Sequence, residues 1–395
     1  MKKILLATSG LFGAALLSAA AHAETPKVTL GGFSDFQAGF TSDDRDDNNR
    51  GTGFRNDNEI SVRVDGTTAG GLGYGAVIDL EADTTNDGDN QGTNAARTFT
   101  YLSGNWGKVE MGDNKGAAAT GRIDASTLAA ATGGINGAWT NFANVDANVA
   151  PGVGTALAAS GGFISAAKGY AEHGSTTSLG DESFYNATKI SYYSPRFAGF
   201  QLGASYTPDL ENRGQNDGLA FRNDVTLGNM GEIFDVSLGY ENQFANGVKL
   251  AASGTYENGN ADTTAAGTKV EDLKAYSLGA LVGYQGFSVA GSYGNWGDSG
   301  RATGGSNDDS TYWTAGAGYE AGPFALSATY LDSTRETGVN SENEFKNLVL
   351  GADYKLAPGI TPYAEVSFYE FDQQGTGAVF DNDGTAFILG TQVAF

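Results

Sequence analysis

The sequence predicts an all-β fold, an antiparallel transmembrane β-barrel of roughly 16 strands, and three observations predict it. Short segments alternate apolar and polar residues with period two, and their apolar faces begin and end in aromatic rings. The connections between these segments alternate between tight and long. Beyond the N-terminal leader, no apolar run is long enough for a membrane-spanning helix.

Lys2 and Lys3 precede the apolar run "ILLATSGLFGAALLSAA", and "AHA" at Ala21 to Ala23 puts small residues at both specificity positions of a cleavage site. This is the pattern of a secretory signal peptide over residues 1–23, and it leaves residues 24–395 for the barrel.

Strands are expected in order at residues 27–40 and 53–65, the second reading "FRNDNEISVRVD", and at 72–83 within "GLGYGAVIDLEAD". Residues 95–103 and 107–112 flank the tight turn "GNWG", and 186–194 and 199–207 flank "SPRFAG", the latter carrying the alternating "FQLGASY". Residues 232–243 ("FDVSLGY") and 247–257 flank "FANG", and 270–284 ("YSLGALVGY") and 286–295 flank "YQGF". Residues 310–320 and 322–332 ("FALSATY") flank "EAGP", 343–356 and 360–371 flank "APGI", and 384–395 ends the chain on "AFILGTQVAF". A soluble sandwich also alternates. It gives no reason for aromatics at both ends of each apolar face, or for short links to alternate with long ones such as "TSDDRDDNNRGTG" and "TTNDGDNQGTN".

One connection is different. Residues of about 113–185 are rich in Ala, Gly, Ser, Thr and Asn without an alternating run. A loop of that length is either a surface excursion or, in a barrel with a water-filled lumen, a segment that folds inward and narrows the pore. The full expectation is thus short periplasmic turns, long outer loops and an in-folded constriction loop after strand five.

With 59 Gly, 7 Pro and 11% aromatics, the composition matches a large all-β chain. There is no Cys, and of 2 His one lies in the leader, so His173 alone remains. A His-based catalytic site or a His-rich metal site has almost nothing to use, and no enzyme is expected. A net charge of -23 excludes a nucleic-acid partner.

At "NATKISYYSPRFAGFQLGASYTP" the chain resembles the strand, turn and strand of the general Gram-negative outer-membrane porins. "GLGYGAVIDLEAD" and "YLSGNWGKVEMGDNK" are similar to that family's third strand and its fourth-to-fifth hairpin. The resemblance covers the mature chain, with "SPRFAGF" and the terminal Phe395 its most specific parts. It implies an alphaproteobacterial-type, sixteen-stranded homotrimeric diffusion pore set among outer-membrane lipid and lipopolysaccharide, with the loop after strand five as its constriction. Phe395 also resembles the signal read by the outer-membrane assembly machinery. The family commonly has a basic residue where this chain has Asp113 and another where it has Ser191, with Lys189 two positions earlier, so no full arginine ladder is carried over.

In "FRNDNEISVRVD", Ile60, Val62 and Val64 share one face, which sends Arg55, Asp57, Glu59, Ser61, Arg63 and Asp65 into the lumen. Charges there either orient permeating solutes or pair with one another. Arg97 shares parity with Phe99 and Tyr101, so either the arginine faces outward or the rings face inward. Lys108, Glu110 and Lys189 are expected inward, and Asp113 and Asp124 in the loop complete the candidate constriction. In the loop Asp113, Asp124, Asp146, Glu172, Asp181 and Glu182 outnumber Lys115, Arg122 and Lys168, which predicts weak cation selectivity. Asp43, Asp44, Asp46 and Asp47 could offer carboxylate oxygens to Ca2+, but solvated loop charge is the favoured reading, and the run from Asp87 fails the EF-hand pattern at Gln91 and Thr98. No other cofactor is expected.

Passive diffusion of small hydrophilic solutes is the leading function. A substrate-specific channel, for sugars for example, would need a ladder of lumen aromatics, which small polar inward positions do not supply. A structural or adhesive surface barrel would need neither an in-folding loop nor mixed charge along its wall.

Overall fold

The computed structural model describes residues 25–44, 51–83, 95–143, 162–173, 186–210, 214, 230–261, 269–304, 309–338, 341–373 and 381–395. The expected leader lies outside these residues, as do Asp46, Asp47, Asp146, Asp181 and Glu182.

Among the described residues sixteen strands form one closed antiparallel sheet. They are β1 (Lys27–Asp43), β2 (Thr52–Thr67), β3 (Gly73–Glu81), β4 (Ala95–Gly104), β5 (Gly107–Asp113), β6 (Thr188–Tyr193), β7 (Phe200–Asp209) and β8 (Met230–Gln243). β9 (Lys249–Ala261), β10 (Leu273–Tyr284), β11 (Phe287–Gly297), β12 (Ser310–Ala321), β13 (Phe324–Gly338), β14 (Ser341–Tyr354), β15 (Ile360–Gln373) and β16 (Asn382–Ala394) complete the wall. Each pairs with its neighbours in sequence, and β16 pairs with β1 from Phe33↔Ala394 to Asp43↔Gly384. Gly32 and Phe395 extend that seam by exchanging backbone hydrogen bonds of 3.1 Å. A closed sheet leaves no unpaired edge in hydrocarbon, which is what a spanning β structure requires.

Every expected strand is present, and the differences lie at the ends. β10 starts at Leu273 because Val270 instead makes an isolated bridge to Ala302. β8 starts at Met230, beyond a bulge at which Glu232 takes a φ of 48°. β13 runs on to Gly338, since the hairpin to β14 continues above the alternating "FALSATY". The tight turns have the expected chemistry: Gln285 and Gly286 have φ of 49° and 86°, and Ala198 and Gly199 have 49° and 90°. Positive φ at both central residues is the twist that a two-residue hairpin needs.

The outer face carries the apolar parity. Phe200, Leu202, Phe234, Leu238, Phe324 and Leu326 are all exposed, as are Phe387, Leu389, Val393 and Phe395. Rings pair across strands at two levels. Near the short turns Phe200 meets Tyr240 at 4.7 Å, Phe287 meets Tyr319 at 4.4 Å and Phe324 meets Tyr354 at 4.6 Å. Toward the long loops Tyr206 meets Phe234 at 4.7 Å and Trp313 meets Tyr330 at 5.2 Å. Phe200 and Tyr206 lie roughly 20 Å apart at strand rise, so the two rings of aromatics bracket an apolar band of membrane height. Leu238 sits within that band and is 53% exposed. Leu238→Arg is expected to destabilise the barrel by about 2–4 kcal/mol, read from denaturant unfolding in lipid vesicles.

The buried core lies inside the barrel. After β5 the chain turns inward through helix α1 (Ala117–Gly121) and three short 3-10 turns at Ala125–Leu128, Gly134–Asn136 and Ala138–Asn141. A returning stretch includes the one-turn helix α2 (Tyr170–His173). Trp139 stacks on Phe345 at 5.5 Å and on Tyr369 at 5.8 Å, and Phe163 meets Phe371 edge-on at 5.0 Å. With Ile135, Ile164, Leu331 and Val349 these rings form an apolar core between loop and wall. The inner loop is held by burial as well as by polar anchors.

Candidate functional site: the lumen and its inner loop

The outgoing leg of the loop follows the wall from strand to strand. Ala117 N–H donates to Ser205 Oγ (2.6 Å) on β7, Ala118 N–H to Asp235 Oδ1 (2.6 Å) on β8, and Ile123 N–H to Ser253 Oγ (2.9 Å) on β9. Ala125 N–H then donates to Thr314 Oγ1 (3.1 Å) on β12, and Ala130 N–H to Ser327 Oγ (2.8 Å) on β13. Ala131 N–H reaches Asp353 Oδ2 (3.2 Å) on β14, and Thr132 N–H reaches Glu365 Oε2 (3.2 Å) on β15. Phe142 finally covers Gly39 on β1. The backbone of an irregular segment needs acceptors once buried, and the inward Ser, Thr, Asp and Glu of the wall supply them. At Gly279 on β10 the fit is closest, for a Cβ there would lie 1.8 Å from the Ile123 carbonyl oxygen.

The returning leg is clasped to the outgoing one. Arg122 is ion-paired to Glu172 of α2 and lies 3.3 Å from Asp124, with the side chains of all three no more than 8% exposed. Burial alone would raise the Glu172 carboxyl, but the charge and hydrogen bond of Arg122 outweigh it and hold it at about 2. Further along, Tyr170 N–H donates to Glu257 Oε2 (2.7 Å), Trp296 Nε1–H donates to the Lys168 carbonyl (3.0 Å), and the Arg335 guanidinium lies 5.5 Å and 5.4 Å from the rings of Tyr170 and Trp296.

The wall of β2 to β5 carries the charges expected from the sequence, and most are paired. Arg55 Nη1 lies 2.8 Å from Asp57, and Lys108 lies 2.5 Å from Glu110 while sitting 5.2 Å over the Tyr101 ring. Ser61 Oγ donates to Asp79 Oδ1 at 2.6 Å, and Arg97 forms an ion pair with the other oxygen of Asp79. Arg97 therefore faces inward, and so do its parity mates. The Tyr101 hydroxyl donates to Asp65 on the far side of β3. Arg63 lies on the same inward face between Thr29 and Val77, and Glu59 stands opposite Glu81. Asp57, Glu81 and Asp83 bring carboxylate oxygens within 4.8 Å of one another.

Four sequence expectations need correction, three of them about single residues. Asp113 accepts from the hydroxyls of Thr98 and Thr188 and from Gly214 N–H (2.8 Å), all on the outer face. Thr98 shares that face with Ile78, and Thr188 with Ile190, so Asp113 does not line the lumen. Lys189 does point inward, but it is 6% exposed and spends its charge on the Asn114 and Ala187 carbonyls beneath the root of the loop. Asp124 is fully buried and caps the turn Ala125–Leu128 by accepting from Ser126 N–H at 2.8 Å. Each is structural. The expectation of mainly small polar inward residues also fails, since Tyr312, Phe345, Tyr363, Tyr369 and Phe371 are buried inside the barrel. They pack beneath the loop and do not form an open ladder.

Other expected residues fall at the ends of the barrel. Asp43 and Asp44 line a rim cavity of about 460 Å³ together with Lys346, Glu370 and Asp383. The Phe395 side chain is 66% exposed on the outer face. Residues that the sequence reading left out include Asp79, Asp235 and Glu257, acids set among apolar or small neighbours in their strands. Their inward parity in "AVIDLE", "FDVSLG" and "GTYENG" was the available signal.

The model of one protein family, described as Gram-negative porin, matches residues 9–374. Uncharacterised proteins of Rickettsia conorii and Rickettsia typhi are each 28% identical over 468 aligned residues, with the whole of both chains covered. Among solved structures, an anion-selective porin from Comamonas acidovorans superposes with a TM-score of 0.59 at 18% identity, covering 94% of this chain and 100% of that one. A triple mutant of Rhodopseudomonas blastica porin gives 0.54 at 17% identity, with coverage of 93% and 100%. At these identities the structures share the fold.

Proposed function

The chain belongs to the Gram-negative porin family and forms an outer-membrane channel, and from that premise we propose that its lumen passes small hydrophilic solutes and ions by passive diffusion with a weak preference for cations. One observation carries the selectivity. Arg55, Arg97, Lys108 and Arg122 each meet a carboxylate, and Lys189 is sequestered beneath the loop. On the wall of β2 and β3 the half-buried Asp57, Glu81 and Asp83 bring three carboxylates within 4.8 Å of one another, and the chain carries a net charge of -23. Fixed negative charge of that kind enriches cations. Family and fold are those of a channel, and no catalytic role is assigned to His173.

The homotrimer rests on the outer face of β4 to β6, where Thr98, Asp113 and Thr188 put polar groups at a level that lipid disfavours. Contact with a neighbouring protomer supplies a protein surface there. Export by a signal peptide cleaved after Ala23, recognition by the assembly machinery, contact with lipopolysaccharide and Ca2+ at Asp43 and Asp44 belong to the same reading.

Purified protein added to a planar bilayer should insert in conductance steps grouped in threes, and a silent barrel would refute the channel. Reversal potentials across a salt gradient should show cations favoured. A clear anion preference, as the name of the Comamonas porin states for that protein, overturns the selectivity.

A further inference from the structure

The outer face of the barrel changes character in one sector, at its long-loop end from β13 round to β1. Register places Tyr330, Leu348, Phe368, Thr385 and Ser42 side by side across those five strands. Leu348 and Phe368 are 38% and 45% exposed, whereas their neighbours Asn347 and Tyr369 are buried on the inside, so the row faces outward. Tyr330 belongs to the upper level of rings through its 5.2 Å contact with Trp313, and the row marks the edge of the hydrocarbon. Two residues further along each strand, about 7 Å higher, stands a second row of Asp332, Lys346, Glu370 and Asp383. Asp44 ends it, its N–H donating to the Asp383 carbonyl at 3.0 Å. Headgroups, not acyl chains, lie at that height.

Tyr330, Leu348 and Phe368 give the rim cavity of about 460 Å³ an apolar floor, and Lys346, Glu370, Asp383 and Asp44 form its upper edge. The one cation of that edge is committed, since Lys346 Nζ lies 3.2 Å from Glu344. The acids stand against one another. Glu370 is directly opposite Asp383, and one step higher Glu344 is directly opposite Asp372. Like charges facing each other across two strands weaken a sheet, and two such pairs on neighbouring strands leave the sector short of positive charge. The corresponding step of β9 and β10 carries Asn258 opposite Lys274, so the acidity belongs to this sector and not to the whole rim.

We propose that this groove docks a lipid with a cationic amine headgroup, its ammonium set among Glu370, Asp383 and Asp44 and its chain lying on Tyr330, Leu348 and Phe368. Below the floor Leu350 and Phe387, 42% and 38% exposed, continue the apolar path into the bilayer. An apolar bed with a few polar groups at its edge is the usual form of a small-molecule site. A bare metal ion fits less well. Among the described residues only Asp57, Glu81 and Asp83 bring three carboxylates within 4.8 Å, and the rim acids are spread at strand spacing. An ammonium with three N–H donors bridges two carboxylates across that spacing. At the membrane edge the surrounding dielectric is below that of water, which strengthens each contact.

The test uses full-length protein carrying Trp106→Phe, folded into phosphatidylcholine vesicles. Trp139 and Trp296 are buried at 0% and 1% exposure, which leaves Trp313, beside Tyr330, as the exposed tryptophan. A spin-labelled alkylamine should quench it with about fivefold higher apparent affinity than spin-labelled phosphatidylcholine. Salt at about 1 M should erase the difference, a readout that needs no acidic variant. Glu370→Gln with Asp383→Asn should erase it too, while Glu232→Gln with Asp272→Asn, which removes as much charge from exposed acids elsewhere on the rim, should keep it. Heat-modifiable mobility on gels reports that each barrel is intact. Equal quenching by the two lipids, or an amine preference that survives Glu370→Gln with Asp383→Asn, would overturn the assignment. So would a preference for spin-labelled phosphatidylglycerol that needs Ca2+, which would give the groove to an ion-bridged phosphate.

Discussion

Arg122→Ala is expected to release the inner loop from its closed position while leaving the barrel assembled. The substitution strands Glu172 and Asp124, whose side chains are 8% and 0% exposed, without their shared cation. Breaking a buried ion pair from one side costs about 3–5 kcal/mol, which multiplies the population of locally opened loop by roughly two to four powers of ten. Single-channel records should turn from quiet to flickering, and the loop should become sensitive to added protease. Glu172→Gln should be milder, because Arg122 keeps Asp124. A quiet Arg122→Ala channel would show that the apolar core around Trp139 holds the loop alone.

The same clasp fixes a pH dependence. Arg122 depresses the Glu172 carboxyl to about 2, against burial, which alone would raise it. A depressed acid contributes stability that is complete above the ordinary carboxylate value of about 4.3 and is lost as the pH falls toward its folded value. The wild-type channel should therefore remain quiet from neutrality to about pH 4 and begin to flicker only in stronger acid. In Arg122→Ala only the charges of Lys168 and Lys115 still oppose burial, so Glu172 should titrate higher than it does in the wild type.

Deletion of Phe395 is expected to lower the amount of assembled, heat-modifiable protein in the membrane several-fold. Two contributions can be separated. Phe395 exchanges two backbone hydrogen bonds of 3.1 Å with Gly32 at the seam, and its exposed ring stands free on the outer face. Loss of the seam bonds would slow refolding in detergent and assembly in cells alike. Loss of an address read by assembly machinery would leave refolding in detergent nearly unchanged and reduce assembly in cells. Phe395→Ala keeps the backbone pair and removes the ring, so it should reproduce the cellular defect. Normal assembly of both variants would deny Phe395 either role.

How legible the lumen was depended on the kind of residue. Strand β2 was legible because its charges and its Ile and Val alternate without interruption, and Arg55, Asp57 and Ser61 lie where parity puts them. Arg97 is ambiguous in the sequence because it shares parity with the rings of Phe99 and Tyr101, and the contact of the Tyr101 hydroxyl with Asp65 two strands away resolves all three inward. Asp113 was misplaced because it was counted with the loop. Instead it is the last residue of β5, and its alternation with Glu110 and Gly112 places it outside. Lys189 was read correctly for direction and wrongly for access, since direction is local and access depends on what the loop covers.

By itself the sequence determined the barrel, its strands, the two levels of aromatic rings and the outward face of its final strand. Those features follow from period-two alternation, turn chemistry and the absence of water in the bilayer, all of which act between residues near in sequence. Only the tertiary structure decided the course of the inner loop, the burial of Lys189 and Asp124, and the meeting of Tyr363 with Asp35 across the seam. Those depend on contacts such as Ala131 with Asp353 or Tyr363 with Asp35, which join residues far apart in the chain once the cylinder has closed. Periodicity gives each side chain a direction, and closure alone determines what stands opposite it.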